Sequence, residues 1–140
     1  MPGVFLDTSA FAKLYIAEPG SDEVRRIVSD ADDILVSALV VPETLSALNR
    51  LLREGAIDRD AYATIKERVV TDISMLHVVS VSDAVIGRSL VILERSSVRT
   101  LDALHIGAAL EAGASLFVTA DREQAKAGAA AELQVRYIEA

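Results

Sequence analysis

The chain has 140 residues, no cysteine and a net charge of −7, with 51% hydrophobic and 4% aromatic residues. This length predicts one domain over residues 1–140 with an aliphatic core. The lack of cysteine excludes disulfides, thiolate metal sites and cysteine nucleophiles, and it favours a cytoplasmic location. The longest near-apolar stretch, ILVSALVVP at 34–42, is too short to cross a bilayer. No basic segment precedes an apolar run at the N-terminus, so we expect no signal peptide.

Short apolar runs alternate with helical patterns along the chain. In order, the patterns predict a strand over 3–6, helices over 9–17 and 22–31, a strand over 34–37, helices over 39–54 and 58–75, a strand over 77–81, helices over 83–95 and 100–111, a strand over 115–119, a short helix from 121 and a strand over 135–138. Strands that alternate with helices are typical of an α/β fold, in which helices cover both faces of a parallel sheet.

Turn and cap residues set several of these boundaries. Pro19 and Gly20 end the first helix, and Ser21 and Thr100 are predicted to cap the helices that follow them. Gly55 is a plausible residue just past a helix C-terminus. The residues expected to face the core from the longer helices are Val24, Ile27, Val28, Leu45, Leu48, Leu51, Leu52, Val85, Leu90 and Leu93.

Acidic residues follow the predicted strands or begin the helices after them. They are Asp7, Glu43, Asp102 and Asp121. Each has an ordinary structural interpretation: Asp7 as a helix cap, Asp121 with Gln124 as a capping box, and Glu43 and Asp102 as first-turn acids that complement the helix dipole. However, parallel strands bring their carboxyl ends to one edge, where ligands bind in such sheets. The four acids together therefore indicate a ligand site.

A cluster of carboxylates requires cations, because the charges repel one another and desolvation strengthens the repulsion. Oxygen ligands select hard ions, Mg²⁺ first and Mn²⁺ as a substitute. Such an ion activates water and stabilises phosphoryl transfer, so no covalent nucleophile is needed. The net negative charge alone argues against nucleic-acid binding, but less so if several carboxylates hold metal ions.

The segments LDTSAFAKLY, VPETLSALNRL, TLDALHIGAAL and LFVTADREQAKA resemble PIN-domain proteins. The resemblance is closest to the single-domain VapC-type ribonuclease toxins of type II toxin–antitoxin pairs and covers essentially the whole chain. It implies a five-stranded parallel sheet in the order 3-2-1-4-5. It also implies Mg²⁺-dependent endoribonuclease activity, with RNA as the substrate, a VapB-type antitoxin as partner, and a homodimer.

Carried over by position, the resemblance implies that Asp7 and Asp102 would be the principal metal ligands. Glu43 and Asp121 would hold waters of the ion, a second ion, or both. The small polar residues that would orient the cluster are Thr8, Ser9 and Thr119. The basic residues proposed to contact RNA are Lys13, Arg50 and Arg122.

His105 follows Asp102 by three residues but lies in an apolar helix, so we interpret it as a core residue. Two other functions are open. One is a catalytically idle PIN fold that serves as a binding protein. The other is a phosphoacceptor receiver domain, which the residues disfavour because Ser82 and Glu139 stand where that domain needs an aspartate and a lysine.

Overall fold

A computed structural model describes residues 3–139. The strands are β1 (Gly3–Leu6), β2 (Asp33–Ser37), β3 (His77–Val79), β4 (Leu116–Thr119) and β5 (Val135–Tyr137). The helices are α1 (Thr8–Ala12), α2 (Ser21–Asp30), α3 (Val40–Arg53), α4 (Arg59–Ile73), α5 (Asp83–Arg95), α6 (Thr100–Glu111) and α7 (Arg122–Ala130). Every predicted element is present, although β3 and β5 end earlier than predicted, at Val79 and Tyr137.

The strands form one parallel sheet in the order β3-β2-β1-β4-β5. The predicted fold class and strand order are therefore confirmed. β1 is central, since Val4 pairs with Ile34 of β2 and with Leu116 of β4. The backbone N–H of Asp7 donates to the carbonyl of Val118 at 3.2 Å. Residues that follow β1 and β4 consequently meet at one edge of the sheet.

Helices cover both faces of the sheet and enclose two apolar clusters. Because side chains alternate along a strand, β1 contributes Val4 and Leu6 to one cluster and Phe5 to the other. Phe5 stacks on Phe117 of β4 with ring centroids 5.6 Å apart. Phe11 of α1 is fully buried against the opposite face. The sheet is thus fixed on both sides, which holds its carboxyl edge in place.

The first helix is shorter than predicted. α1 ends at Ala12, whereas the sequence predicted a helix over 9–17. The N–H of Lys13 donates to the carbonyl of Ala10 at 3.1 Å, a three-residue span typical of a tight turn. The ammonium of Lys13 donates to the carbonyl of Pro19 at 2.8 Å. This contact folds the connection to α2 back onto the end of α1.

Two predicted caps are wrong by one residue. Ser21 is the first residue of α2, and the cap position belongs to Gly20 with φ +93°, a left-handed conformation that glycine adopts without a Cβ clash. The Ser21 hydroxyl instead accepts from the N–H of Glu18 at 3.1 Å. Likewise Thr100 is the first residue of α6, and Arg99 is its cap.

Some predicted core positions face outward. Leu90 is 54% exposed, so its prediction as an anchor of α5 is wrong. The buried residues of α5 are Val85, Ser89 and Ile92. Ser89 tolerates this position because its hydroxyl donates to the carbonyl of Ile86 at 2.6 Å. In α3, Leu48 is fully buried while Leu45, Leu51 and Leu52 are partly exposed.

Replacing Gly107 by alanine is expected to lower the free energy of unfolding by about 1–2 kcal/mol. A Cβ at Gly107 would lie 2.9 Å from the carbonyl oxygen of Val85 and 3.3 Å from the nitrogen of Ser89. These are backbone atoms of α5, so the helices would have to separate, and the gain in helix propensity of about 1 kcal/mol only partly offsets this cost. Urea denaturation measures the change.

Gly87→Ala is the matched control, because Gly87 lies in α5 with nothing within 4 Å of its added Cβ. This variant is expected to gain up to about 1 kcal/mol of stability. Equal gains in both variants would contradict the close packing of α5 on α6.

Among residues 3–139, no helix is both long and apolar enough to cross a membrane.

Candidate active site

Asp7 lies where β1 ends and α1 begins, and it is only 1% exposed. It is the N-cap of α1, and its Oδ1 accepts from the backbone N–H of Ala10 at 2.9 Å. The strand ends in buried Leu6 and the helix starts at Thr8. The backbone therefore leaves this carboxyl group at the edge of the sheet, beneath the surface.

Two hydroxyl groups hold the Asp7 carboxylate. Ser9 Oγ donates to Oδ1 at 2.7 Å and to Oδ2 at 2.9 Å, and Thr119 Oγ1 donates to Oδ2 at 2.5 Å. Burial raises the pKa of Asp7 above its ordinary value, although these hydrogen bonds act in the opposite direction. Ser9 and Thr119 thus hold both oxygens of the Asp7 carboxylate.

Glu43 lies in the first turn of α3 and reaches the same edge. Its Oε1 accepts from Thr8 Oγ1 at 2.7 Å and lies 2.5 Å from His105 Nε2. Burial acts to raise the pKa of Glu43, but the hydrogen bonds from His105 and Thr8 hold it below its ordinary value. Glu43 is therefore ionised and fixed from two other elements, α1 and α6.

Asp102 and Asp121 complete the acidic group. Asp121 is the N-cap of α7, and its Oδ1 accepts from the N–H of Gln124 at 2.9 Å. The Gln124 amide reaches the carbonyl of Asp102 at 3.2 Å rather than closing a capping box. Partial burial raises the pKa of Asp102, and the charges of Asp121 and Glu43 raise it further. Asp102 therefore interacts electrostatically with Asp121 and Glu43, which lie on two other helices or their caps.

These residues line one cleft of about 250 Å³ at the carboxyl edge. The lining residues are Asp7, Thr8, Ser9, Glu43, Asp102, His105, Asp121 and Gln124. A wider groove of about 630 Å³ shares Glu43, Asp102 and Asp121 and continues along the segment 97–101 to Glu123. Among the described residues, no lysine or arginine lines the cleft itself, and Arg99 lines the groove.

The donor set of the cleft fits a hard divalent cation. Burial and the charges of Asp121 and Glu43 together raise the pKa of Asp102, and the lining residues include no lysine or arginine that would offset these charges. Among residues 3–139, no three Asp, Glu or His groups converge closely enough to enclose one ion. Mg²⁺ does not require such an enclosure, since it usually binds one or two carboxylates and keeps several waters.

The three basic residues proposed to contact RNA lie in different settings outside the cleft lining. The Lys13 side chain is 6% exposed and its ammonium lies 3.2 Å from Glu18, which leaves little surface for a phosphate. The Arg50 side chain is 65% exposed and pairs loosely with Glu54 at 3.9 Å. Arg122 follows Asp121 directly, with its guanidinium 5.7 Å from the centre of the Tyr137 ring. Arg50 and Arg122 are thus exposed, whereas Lys13 is buried.

His105, like Gln124, lines the cleft although the sequence analysis did not assign it to the site. It is buried, as its interpretation as a core residue required, yet its Nε2 contacts Glu43 and lies 3.2 Å from Thr8 Oγ1. The available signal was its spacing from Asp102, because residues three apart share a helix face. The contact partners are distant along the chain and could not be deduced from that spacing.

The sequence is similar to a known protein family and to a curated protein. The sequence matches the family model described as PIN domain over residues 4–130. A curated relative, Ribonuclease VapC46 of Mycobacterium tuberculosis, is 33% identical over 117 residues, which cover 83% of this chain and 81% of the relative.

Solved structures with the same fold include three that cover most of this chain. VapC20 of Mycobacterium tuberculosis, described as a sarcin-ricin loop cleaving toxin, has a TM-score of 0.69 at 19% identity and covers 89% of this chain and 95% of its own. FitAcB of Neisseria gonorrhoeae has a TM-score of 0.73 at 17% identity, covering 94% and 95%. DNA-bound VapBC of Salmonella typhimurium has a TM-score of 0.67 at 16% identity, covering 97% and 98%.

Proposed function

Because this chain belongs to the PIN-domain family and is related to VapC ribonucleases, we propose that it is a Mg²⁺-dependent endoribonuclease. The observation that carries the proposal is the convergence of Asp7, Glu43, Asp102 and Asp121 on one cleft lined by no lysine or arginine. An acidic cleft repels the phosphates of RNA, so an acidic site for RNA hydrolysis requires a bound cation.

The proposed roles follow from burial and hydrogen bonding. Asp7 and Asp102 are the principal metal ligands, with Mn²⁺ as a substitute for Mg²⁺. Asp7 is the most rigid of the acids because Ser9, Thr119 and the N–H of Ala10 fix both of its oxygens. Glu43 and Asp121 hold waters of the ion or a second ion.

When bound, the ion would activate the attacking water and stabilise the negative charge on the phosphate. The residues of the cleft orient the scissile phosphate so that water attacks phosphorus in line with the departing 3′ oxygen. The P–O3′ bond breaks, the 3′ oxygen takes a proton, and the products are a 3′-hydroxyl and a 5′-phosphate. Arg50 and Arg122 are placed outside the cleft, where they can contact flanking phosphates.

The proposed biological setting is a VapBC-type toxin–antitoxin pair acting in the cytoplasm. Several structural neighbours are toxin–antitoxin complexes, which supports a VapB-type antitoxin as partner, and the resemblance supports a homodimer. One neighbour is described as cleaving the sarcin-ricin loop. For this chain we propose a structured RNA loop, of tRNA or rRNA, as the class of target.

The chemistry of the cleaved ends tests this function. Purified protein incubated with total RNA and Mg²⁺ is expected to leave 5′-phosphate and 3′-hydroxyl ends, detected by ligation-based sequencing with and without prior phosphatase treatment. Ends that carry 2′,3′-cyclic phosphate would contradict water attack at the proposed site and would point to a different ribonuclease. Absence of cleavage together with absence of Mn²⁺ binding would favour the catalytically idle binding protein.

A further inference from the structure

His105 connects three elements of the cleft from a buried position. It lies on α6, is 2% exposed, and its Nε2 is 2.5 Å from Glu43 Oε1 on α3 and 3.2 Å from Thr8 Oγ1 on α1. The edge of its ring packs against Phe5 of β1, with ring centroids 6.3 Å apart. The imidazole is therefore held on one side by the core and directed on the other side at the acids.

The hydrogen-bond pattern identifies Nε2 as the donor. A carboxylate oxygen accepts hydrogen bonds, and Oε1 already accepts from Thr8 Oγ1, so we assign the hydrogen between the two groups to His105. His105 Nδ1 is buried and has no hydrogen-bond partner among residues 3–139. A buried acceptor without a partner is more common than a buried N–H without one, which is consistent with the Nε2–H tautomer.

Both bonds to Glu43 use the same oxygen. Thr8 Oγ1 and His105 Nε2 meet at Oε1, and none of the hydrogen bonds found among residues 3–139 uses Oε2. Two donors on one oxygen fix the plane of the carboxylate and leave its second oxygen available. Asp102 lies three residues before His105 on α6, so the two side chains share one face of that helix. α6 therefore positions Asp102 directly and Glu43 through the contact with His105.

We propose that His105 is a positioning residue, which holds the Glu43 carboxylate in the orientation needed to bind the divalent cation or its waters. This inference rests on the proposed function of the same cleft. His105 acts through Glu43, as groups that hydrogen-bond to metal ligands commonly do, and removal of such a group costs about 10–100-fold in metal affinity or activity.

A matched pair of substitutions separates the hydrogen bond from the packing. His105→Gln places an amide N–H near the Nε2 position, whereas His105→Met has a similar length but no donor. We expect His105→Met to weaken Mn²⁺ binding and to lower kcat by about 10–100-fold, and His105→Gln to recover most of both. Circular dichroism confirms folding, and His105→Leu replaces the methionine variant if that variant unfolds. His77→Gln is the control, since His77 is exposed and contacts Asp33.

A double variant that combines His105→Met with Glu43→Gln distinguishes a positioning role of His105 from a general structural role. In that background His105→Met is expected to cause no further loss of kcat or of Mn²⁺ affinity, measured by electron paramagnetic resonance, because both act through one carboxylate. Additive losses, or wild-type values for His105→Met alone, would overturn the positioning role and leave the proposed function intact. Wild-type cleavage and Mn²⁺ binding in Glu43→Gln alone would also overturn the positioning role, whereas the absence of cleavage by the wild-type protein would overturn the proposed function.

Discussion

Asp7→Asn is expected to lower the rate of RNA cleavage by about 10³-fold while the protein remains folded. A bound metal contributes several kcal/mol of transition-state stabilisation, and about 1.4 kcal/mol corresponds to a factor of ten in rate. Asparagine removes the charge that binds the ion but keeps an oxygen for the N–H of Ala10, and it caps helices as well as aspartate does. The hydroxyls of Ser9 and Thr119 can rotate to accept from the new amide.

The matched control for this substitution is Asp58→Asn. Asp58 is the N-cap of α4 and accepts from the N–H of Ala61 at 2.8 Å, but it lies outside the acidic cleft. Its variant should cleave RNA at the wild-type rate. Cleavage by Asp7→Asn at the wild-type rate would remove Asp7 from the catalytic machinery.

The same variant has a second expected property in the absence of metal. Because burial raises the pKa of Asp7 in the folded state, its ionised form costs stability at neutral pH, and this cost disappears below the unfolded value of 3.8. Asp7→Asn should therefore raise the midpoint of thermal unfolding at pH 7 in EDTA, and the gain should shrink as the pH falls towards 3.8. A gain that is constant with pH would contradict the burial of a charged group.

Removal of divalent cations is expected to abolish cleavage completely, and addition of Mg²⁺ or Mn²⁺ should restore it. The cleft contains no lysine or arginine to neutralise the phosphate, and the chain has no cysteine nucleophile. The Ser9 hydroxyl donates to Asp7 and accepts from the N–H of Ala120 at 2.8 Å, so it is committed to holding the site. Neither a thiol nor an uncommitted serine hydroxyl is therefore available in the cleft as a nucleophile.

End-labelled RNA resolved on a gel measures this dependence after dialysis against EDTA. The Asp7→Asn protein, purified in the same way, shows how much cleavage comes from contaminants. Cleavage in EDTA by both proteins would identify a contaminating ribonuclease. Cleavage in EDTA by the wild type but not by the variant would contradict a metal-dependent mechanism.

The sheet was predictable because its strands are short apolar runs separated by strong helix signals. Alternation of strands and helices leads directly to a parallel sheet, whereas the strand order came from the resemblance. The length of α1 was not predicted, because the apolar pattern continues past Ala12 while the backbone bonds of Lys13 and Leu14 already span three residues. The prediction that Leu90 faces the core was wrong because Ser89 takes the buried position instead. The Ser89 hydroxyl donates to the carbonyl of Ile86 in the same helix, so this polar side chain can be buried.

The convergence of the four acids at one edge of the sheet was predictable. Their interpretation as helix caps or first-turn acids is compatible with their interpretation as a ligand site. Asp7 and Asp121 cap helices through hydrogen bonds to Ala10 and Gln124, and both also line the cleft. A carboxylate has enough acceptor sites to serve a helix end and a ligand. The hydrogen bond between His105 and Glu43 joins residues 62 positions apart, and no local pattern encodes such a contact.

The most direct test of the account is anomalous diffraction from crystals soaked in Mn²⁺, with data collected on both sides of the manganese absorption edge. The account predicts an anomalous peak in the cleft beside the carboxylates of Asp7 and Asp102, with Glu43 and Asp121 facing it directly or through water. A fully soaked crystal with no peak among these oxygens would contradict the claim that they bind the catalytic cation.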